Sequence, residues 1–171
     1  MTEALCIWII GPSCSGKTTL ARLVVARLRE LGRSAVLCDG DEVRDIFDTK
    51  LGYDPVSRSR QTMRVMSLAK WALRQGLVPV VAIIHPFEVD RAFCREAFPG
   101  YAEVYLRCDM KERIRRDSKK LYMPALRGER KNVVGVDIPF DDPVRAELTL
   151  DSSLLAPAEL LAQIVSFLKL E

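Results

Sequence analysis

An apolar run, ALCIWII from Ala4 to Ile10, passes without a break into GPSCSGKT at Gly11 to Thr18, and a helix-like pattern starts at Lys17. This junction constrains the fold more than any other stretch. The GxxxxGK[ST] pattern works only when a buried strand delivers a glycine-rich turn to the N-terminus of a helix. There the glycines let successive amides point inward, and the helix dipole favours an anion. The run before the loop has no polar alternation, as expected of a strand covered on both faces of a parallel sheet.

The rest of the chain repeats the alternation. From Lys17 to Leu31 apolar residues fall at helical spacing and Gly32 ends the pattern, and Ser34 to Cys38 reads as a short strand. Ser57 to Gln75 has helical spacing and stops before Gly76, and Val78 to Ile84 (VPVVAII) is a strand. A helix is expected near Asp90 to Phe98, a strand at Glu103 to Arg107, a helix from Met110, a strand at Glu147 to Leu150 and a last amphipathic helix at Pro157 to Leu168. The expected fold class is therefore α/β, of the P-loop nucleoside triphosphate hydrolase/kinase type. It has a parallel sheet of about five strands, helices on both faces, and one domain over residues 1–171. A composition that is 49% hydrophobic and 29% charged suits one domain with a full core.

Residues 117–142 break the alternation. Lys119, Lys120, Arg127, Arg130 and Lys131 are mixed there with prolines and glycines, without a period. A connection this long is either a solvated mobile loop or a functional lid, and its basic residues suit covering phosphate. The net charge of +3 is spread along the chain, so no basic arm points to nucleic acid. The apolar runs are too short to span a bilayer, and Ala4 to Ile10 lacks the basic lead of a signal peptide. Five cysteines (Cys6, Cys14, Cys38, Cys94 and Cys108) form neither a disulfide framework nor a CxxC pair, which points to the cytoplasm.

The loop chemistry assigns Lys17 to the β and γ phosphates of ATP and the Thr18 hydroxyl to Mg²⁺. Ser13, Cys14, Ser15, Gly16 and Thr19 complete the cradle begun at Gly11, although small polar residues also suit a tight turn or a helix cap. The loop establishes nucleotide binding; the reaction must be read elsewhere. After the second strand comes DGDEVR, Asp39 to Arg44, at the carboxyl edge of the sheet where such folds bind ligands. Asp41 is placed to take a proton from an attacking hydroxyl or to hold the metal, Asp39 to support the metal, and Arg44 to clamp an anionic acceptor. The competing reading is an Asp cap opening a helix at Glu42, with Arg44 in solvent.

These blocks resemble the adenylyl-sulfate kinase family from about Ile7 to Asp151. Family members carry GxSxxGKST, DGDNVR, GFSPxDRxxN, FISPxRxDR and RDPKGLYKKAxxGExKNFTGxDSPYExP. Here the matching stretches are GPSCSGKTT (Gly11 to Thr19), DGDEVR, GYDPVSRSRQ (Gly52 to Gln61), IIHPFEVDR (Ile83 to Arg91) and RDSKKLYMPALRGERKNVVGVDIPFDDP (Arg116 to Pro143). The resemblance implies ATP- and Mg²⁺-dependent phosphorylation of the 3′-hydroxyl of adenylyl sulfate, and a homodimer. It places Tyr53 and Phe140 on the two faces of the acceptor's adenine, Arg44 and Arg58 on its phosphosulfate, Lys131 and Asn132 near that nucleotide, and Arg116 near the ATP base.

Gln61 stands where the family has Asn, His85 where it has Ser, and Glu88 where it has Arg, while Met123 and Pro124 replace basic residues. Gln61 and His85 are expected at the acceptor, with His85 open to three readings: a hydrogen-bond donor to substrate, a titrating group, or a strand-end residue exposed to water. These changes motivate a second acceptor, a nucleotide such as cytidine diphosphoramidate. A further alternative, from another class, is a nucleotide-binding regulatory domain without turnover.

Overall fold

The protein's computed structural model describes residues 5–170. The expected strand start at Ala4 and the outermost ends of the expected domain lie outside them. The elements are β1 (Cys6–Ile10), α1 (Lys17–Glu30), β2 (Ala35–Asp39), α2 (Gly40–Ile46), α3 (Pro55–Arg74), β3 (Val78–Ile83), α4 (Glu88–Ala97), β4 (Tyr101–Arg107), α5 (Met110–Arg115), α6 (Tyr122–Leu126), β5 (Leu148–Asp151) and α7 (Pro157–Phe167). The five strands form one sheet in the order β2-β3-β1-β4-β5, parallel throughout.

β1 is the central strand, and its continuous apolar character follows from burial on both faces. Ile7 and Ile9 point into a layer with Leu20, Val24 and Leu28 of α1 and Leu160 and Ile164 of α7. Cys6, Trp8 and Ile10 point the other way, against Val65, Met66 and Ala69 of α3 and Cys94 of α4. Successive side chains of a strand alternate, so one five-residue segment nails two cores together and delivers Gly11 to the sheet's carboxyl edge.

Several boundaries shift for identifiable reasons. Helix α3 begins at Pro55 rather than Ser57, because Pro suits the first helical position and the Asp54 carboxylate accepts from the Ser57 amide. Strand β3 ends at Ile83 rather than Ile84, since His85 takes a left-handed backbone (φ 53°) and turns the chain off the sheet. The Asp-capped helix, the competing reading of DGDEVR, is present as α2, with Asp39 as its N-cap and a start at Gly40 rather than Glu42. Gly40 opens that helix under Ile83, where a Cβ would lie 2.8 Å from the isoleucine Cγ2.

Residues 117–142 are not a loose loop. Tyr122, Ala125 and Val133 form a third apolar cluster, packed with Cys14, Met110, Ile114 and Val136. Two carboxylates build the turns: Asp117 accepts from the amides of Leu121 and Tyr122, and Asp137 from those of Asn132 and Val133. Such side-chain capping orders a chain without leaving periodicity in its sequence.

Candidate functional site

At the carboxyl edge of β1, β2 and β3 lies a cavity of about 620 Å³. Its floor is the loop after β1. Gly11 has φ 149°, and a Cβ there would come within 2.4 Å of the Leu106 carbonyl oxygen, so only glycine fits. Ser13, Cys14, Gly16, Lys17, Thr18 and Thr19 line the cavity directly. Lys17 Nζ reaches back over the loop and donates to the Pro12 carbonyl at 2.6 Å. Burial, only partly countered by nearby Asp39 and Asp41, pulls its ammonium down to about 8.

The DGD turn faces the loop. Thr18 Oγ1 donates to Asp39 at 2.6 Å, joining α1 to the end of β2. The other Asp39 oxygen accepts from the amides of Asp41 and Glu42 at 2.9 and 3.3 Å. The capping reading and the functional reading are therefore both satisfied by one carboxylate. Its buried charge is held by three donors, and the cap fixes it beside the Thr18 hydroxyl. Asp41 is exposed and pairs with Lys119 from the 117–142 segment.

On the opposite wall Arg44 is anchored by the carbonyls of Leu51 and Gly52, and its guanidinium lies 4.6 Å from the Tyr53 ring centroid. Arg58 lies 5.7 Å from the same ring and donates to the Asn132 carbonyl at 2.8 Å, while its Nε has no protein partner. Burial first, then the neighbouring Arg44 charge, depresses the Arg58 guanidinium. Two arginines held against each other in a half-buried wall make a site that gains from an anion. Tyr53 is half exposed and lines the cavity. Gln61 donates to the Gly40 carbonyl at 3.1 Å, and its side-chain oxygen is unpartnered. Lys131 and Asn132 complete the rim.

Arg116 sits at the far side of the loop, tied to Glu112 at 2.6 Å and to the Ser152 carbonyl at 2.8 Å. With Ser15, Gly16 and Thr19 it borders a second, smaller cavity of about 230 Å³. The two cavities share the loop, so a polyphosphate lying along it reaches both.

Three expected residues are placed differently. His85 contributes to the wall, but its imidazole is 1% exposed and packs 5.0 Å from the Trp8 ring, with both nitrogens closed off and unpartnered. It is neither solvent-exposed nor titrating near neutrality, because burial and then the Arg91 charge push it down to about 3. Glu88 does not line the cavity; it pairs at 2.8 Å with the buried Arg91. Phe140 also lies outside the lining, stacked 5.6 Å from Tyr105 rather than across from Tyr53. Sequence reasoning missed Trp8, Arg91 and Tyr122. Arg91, in α4, ties the His85 carbonyl to the Asp141 carbonyl; it closes the IIHPFEVDR block, but nothing in the sequence says that its guanidinium is buried at the strand exit.

Comparison with known proteins agrees with this geometry. The family model described as Adenylylsulphate kinase matches residues 3–151. A probable adenylyl-sulfate kinase of Pyrococcus abyssi is 36% identical over 92% of this chain and 90% of its own. The adenylyl-sulfate kinase of Bacillus velezensis is 34% identical over 95% of this chain and 84% of its own. The Mycobacterium tuberculosis APS kinase CysC, solved in complex with AMPPNP and APS, superposes with a TM-score of 0.90 at 29% identity, covering 98% of each chain. With an unbroken loop, a carboxylate fixed beside Thr18 and paired arginines opposite, the chain belongs to the adenylylsulphate kinase family.

Proposed function

We propose that the protein transfers the γ-phosphoryl group of ATP to the 3′-hydroxyl of adenylyl sulfate. The observation that carries this reading is the cavity itself. Its floor holds a polyphosphate cradle with Lys17, and its far wall holds Arg44, Arg58 and the half-exposed Tyr53. In this reading the ATP phosphates lie along the loop with the base toward Arg116, and the acceptor's adenine lies on Tyr53. The acceptor's anionic end meets the arginines, and residues 117–142 act as a lid.

The attacking hydroxyl forms an O–P bond as the bond between the γ-phosphorus and the bridging oxygen breaks, ADP leaves, and the hydroxyl proton passes to a carboxylate. Asp39 is fixed as a cap beside Thr18, whereas Asp41 is exposed to the cavity, so in this reading Asp41 takes the proton and Lys119 shifts from it as substrate enters. Lys17 stabilises the charge that builds on the migrating group. Among the described residues no group of three His, Cys, Asp or Glu side chains converges on a metal. Thr18 and Asp39 still fit Mg²⁺, a hard ion that takes few protein oxygens and fills its shell with phosphate and water. When bound there, Mg²⁺ would neutralise charge on the phosphates.

The two departures that most favour another acceptor, His85 and Glu88, present no exposed polar group to it: the His85 nitrogens are buried, and Glu88 pairs with Arg91 outside the cavity lining. The test is a panel of acceptors with ATP and Mg²⁺. Adenylyl sulfate is expected to give the 3′-phosphorylated product and cytidine diphosphoramidate none; absence of product from adenylyl sulfate would remove the reading. No helix among the described residues is long and apolar enough to cross a membrane, and their five cysteines are free. Free thiols support the cytoplasm, and the homodimer rests on the resemblance alone.

Lys17 makes ATP binding depend on pH. Polyphosphate favours the charged ammonium, so binding raises its proton affinity from about 8 toward the ordinary value. Protons are therefore taken up on binding at pH 8.5, and affinity falls as pH rises above about 8. Calorimetry in buffers of different ionisation enthalpy would reveal this uptake, and identical heats in all buffers would contradict it.

A further inference from the structure

Tyr122 is the one fully buried aromatic of the 117–142 segment, and it is not among the residues that line the cavity. Its hydroxyl donates to the Ser13 carbonyl at 2.9 Å and accepts from Arg113 Nη1 at 3.3 Å, with the Arg113 guanidinium 5.3 Å from its ring centroid. Burial raises the phenol, so it keeps the proton it donates.

The consequence follows from peptide geometry. In a trans peptide the carbonyl and the next amide point in opposite directions, and no described peptide bond is cis. A Ser13 carbonyl drawn away from the cavity obliges the Cys14 N–H to face the other way, into the space that Cys14 lines. The preceding carbonyl, of Pro12, instead receives Lys17. Cys14 then takes a left-handed backbone, φ 62°, which a residue with a side chain adopts only when something holds it there. A left-handed residue within a turn lets neighbouring amides converge, the geometry of a backbone anion nest.

We infer that Tyr122 is a positioning residue for the phosphate loop: by holding the Ser13 carbonyl outward, it aims the Cys14 amide at the nucleotide's phosphates. The segment that covers the site therefore also shapes its floor. A second contact has the same sense, since Cys14 Sγ lies 3.7 Å from the Asp117 oxygen that belongs to the same segment. The inference rests on reading the loop as the ATP phosphate site, but not on the identity of the acceptor.

The test is Tyr122→Phe, which preserves the ring and its packing and removes only the oxygen. Binding is measured for ATP, for inorganic tripolyphosphate and for adenosine, each with Mg²⁺, alongside thermal melts and the KM of adenylyl sulfate at saturating ATP. Losing one aimed amide is expected to weaken ATP and tripolyphosphate alike, by about tenfold. Adenosine affinity and acceptor KM should stay within about twofold. Unchanged tripolyphosphate affinity would overturn the inference and reduce Tyr122 to packing, as would a uniform loss for all ligands accompanied by a lowered melting temperature. Failure of the wild type to phosphorylate adenylyl sulfate would remove the proposed function while leaving the tripolyphosphate result interpretable.

Discussion

Lys17→Ala is expected to lower kcat by about a thousandfold while the protein folds and melts normally. Two separate effects decide this. On the rate side, the ammonium is the only cation of the loop, and it acts where negative charge migrates in the transition state, in a water-poor cleft where such terms are large. On the stability side, Lys17 opens α1 outside the sheet's two cores, and its charge is already disfavoured by burial. Removing it frees the Pro12 carbonyl, a loss of about 1 kcal/mol. Alanine's better helix propensity and the lost desolvation penalty offset that. Steady-state kinetics with a parallel melt separate the effects. An unfolded variant, or one with a near-normal rate, would contradict the assignment.

His85 should make the protein sensitive to acid. Its imidazole titrates near its ordinary 6.5 in the unfolded chain and at about 3 in the fold. Between those values the unfolded state binds a proton that the native state refuses. Stability is therefore intact above pH 6.5 and is lost as pH falls through that window. The loss from this one group is about 3 kcal/mol by pH 4. Carboxylates contribute to acid unfolding as well, so the control is His85→Phe, which keeps a ring against Trp8 and has nothing to protonate. Urea melts at pH 7 and pH 4 should show wild type losing about 3 kcal/mol more than the variant. Comparing each protein with itself cancels any packing change from the larger ring. Equal losses would mean that the imidazole is protonated in the native fold.

His85 also shows where sequence reading runs out. Its position at the end of the third strand is legible from VPVVAII, because a run of β-branched residues ending at a proline has few alternatives. The direction of its side chain is not legible. That depends on a single left-handed backbone angle, normally announced by glycine, and here adopted by a residue clamped through its carbonyl to Arg91. Cys14 and Asn132 share that conformation and that silence. The loop and the DGD turn are legible because phosphate chemistry limits which residue types can stand there, whereas the pairing of Arg44 with Arg58 is legible only through the family resemblance. The stacking of Phe140 on Tyr105 is hidden for a related reason: a motif fixes order along the chain, but which neighbour an aromatic stacks on depends on packing. The compact 117–142 segment was hidden because carboxylate-capped turns and a three-residue core have no period to detect.

The strand order has a consequence in time as well as in space. Residues 6–18 are synthesised before the strands they pair with, for β1 has no hydrogen-bonding neighbour until β3 (Val78–Ile83) and β4 (Tyr101–Arg107) have been made. Non-local parallel pairings of this kind form late, after their loop-closure entropy has been met. The nascent chain thus carries an intact nucleotide-binding motif with no nucleotide site. During synthesis ATP cannot template the loop, and it can stabilise only a sheet that has already closed around its first strand.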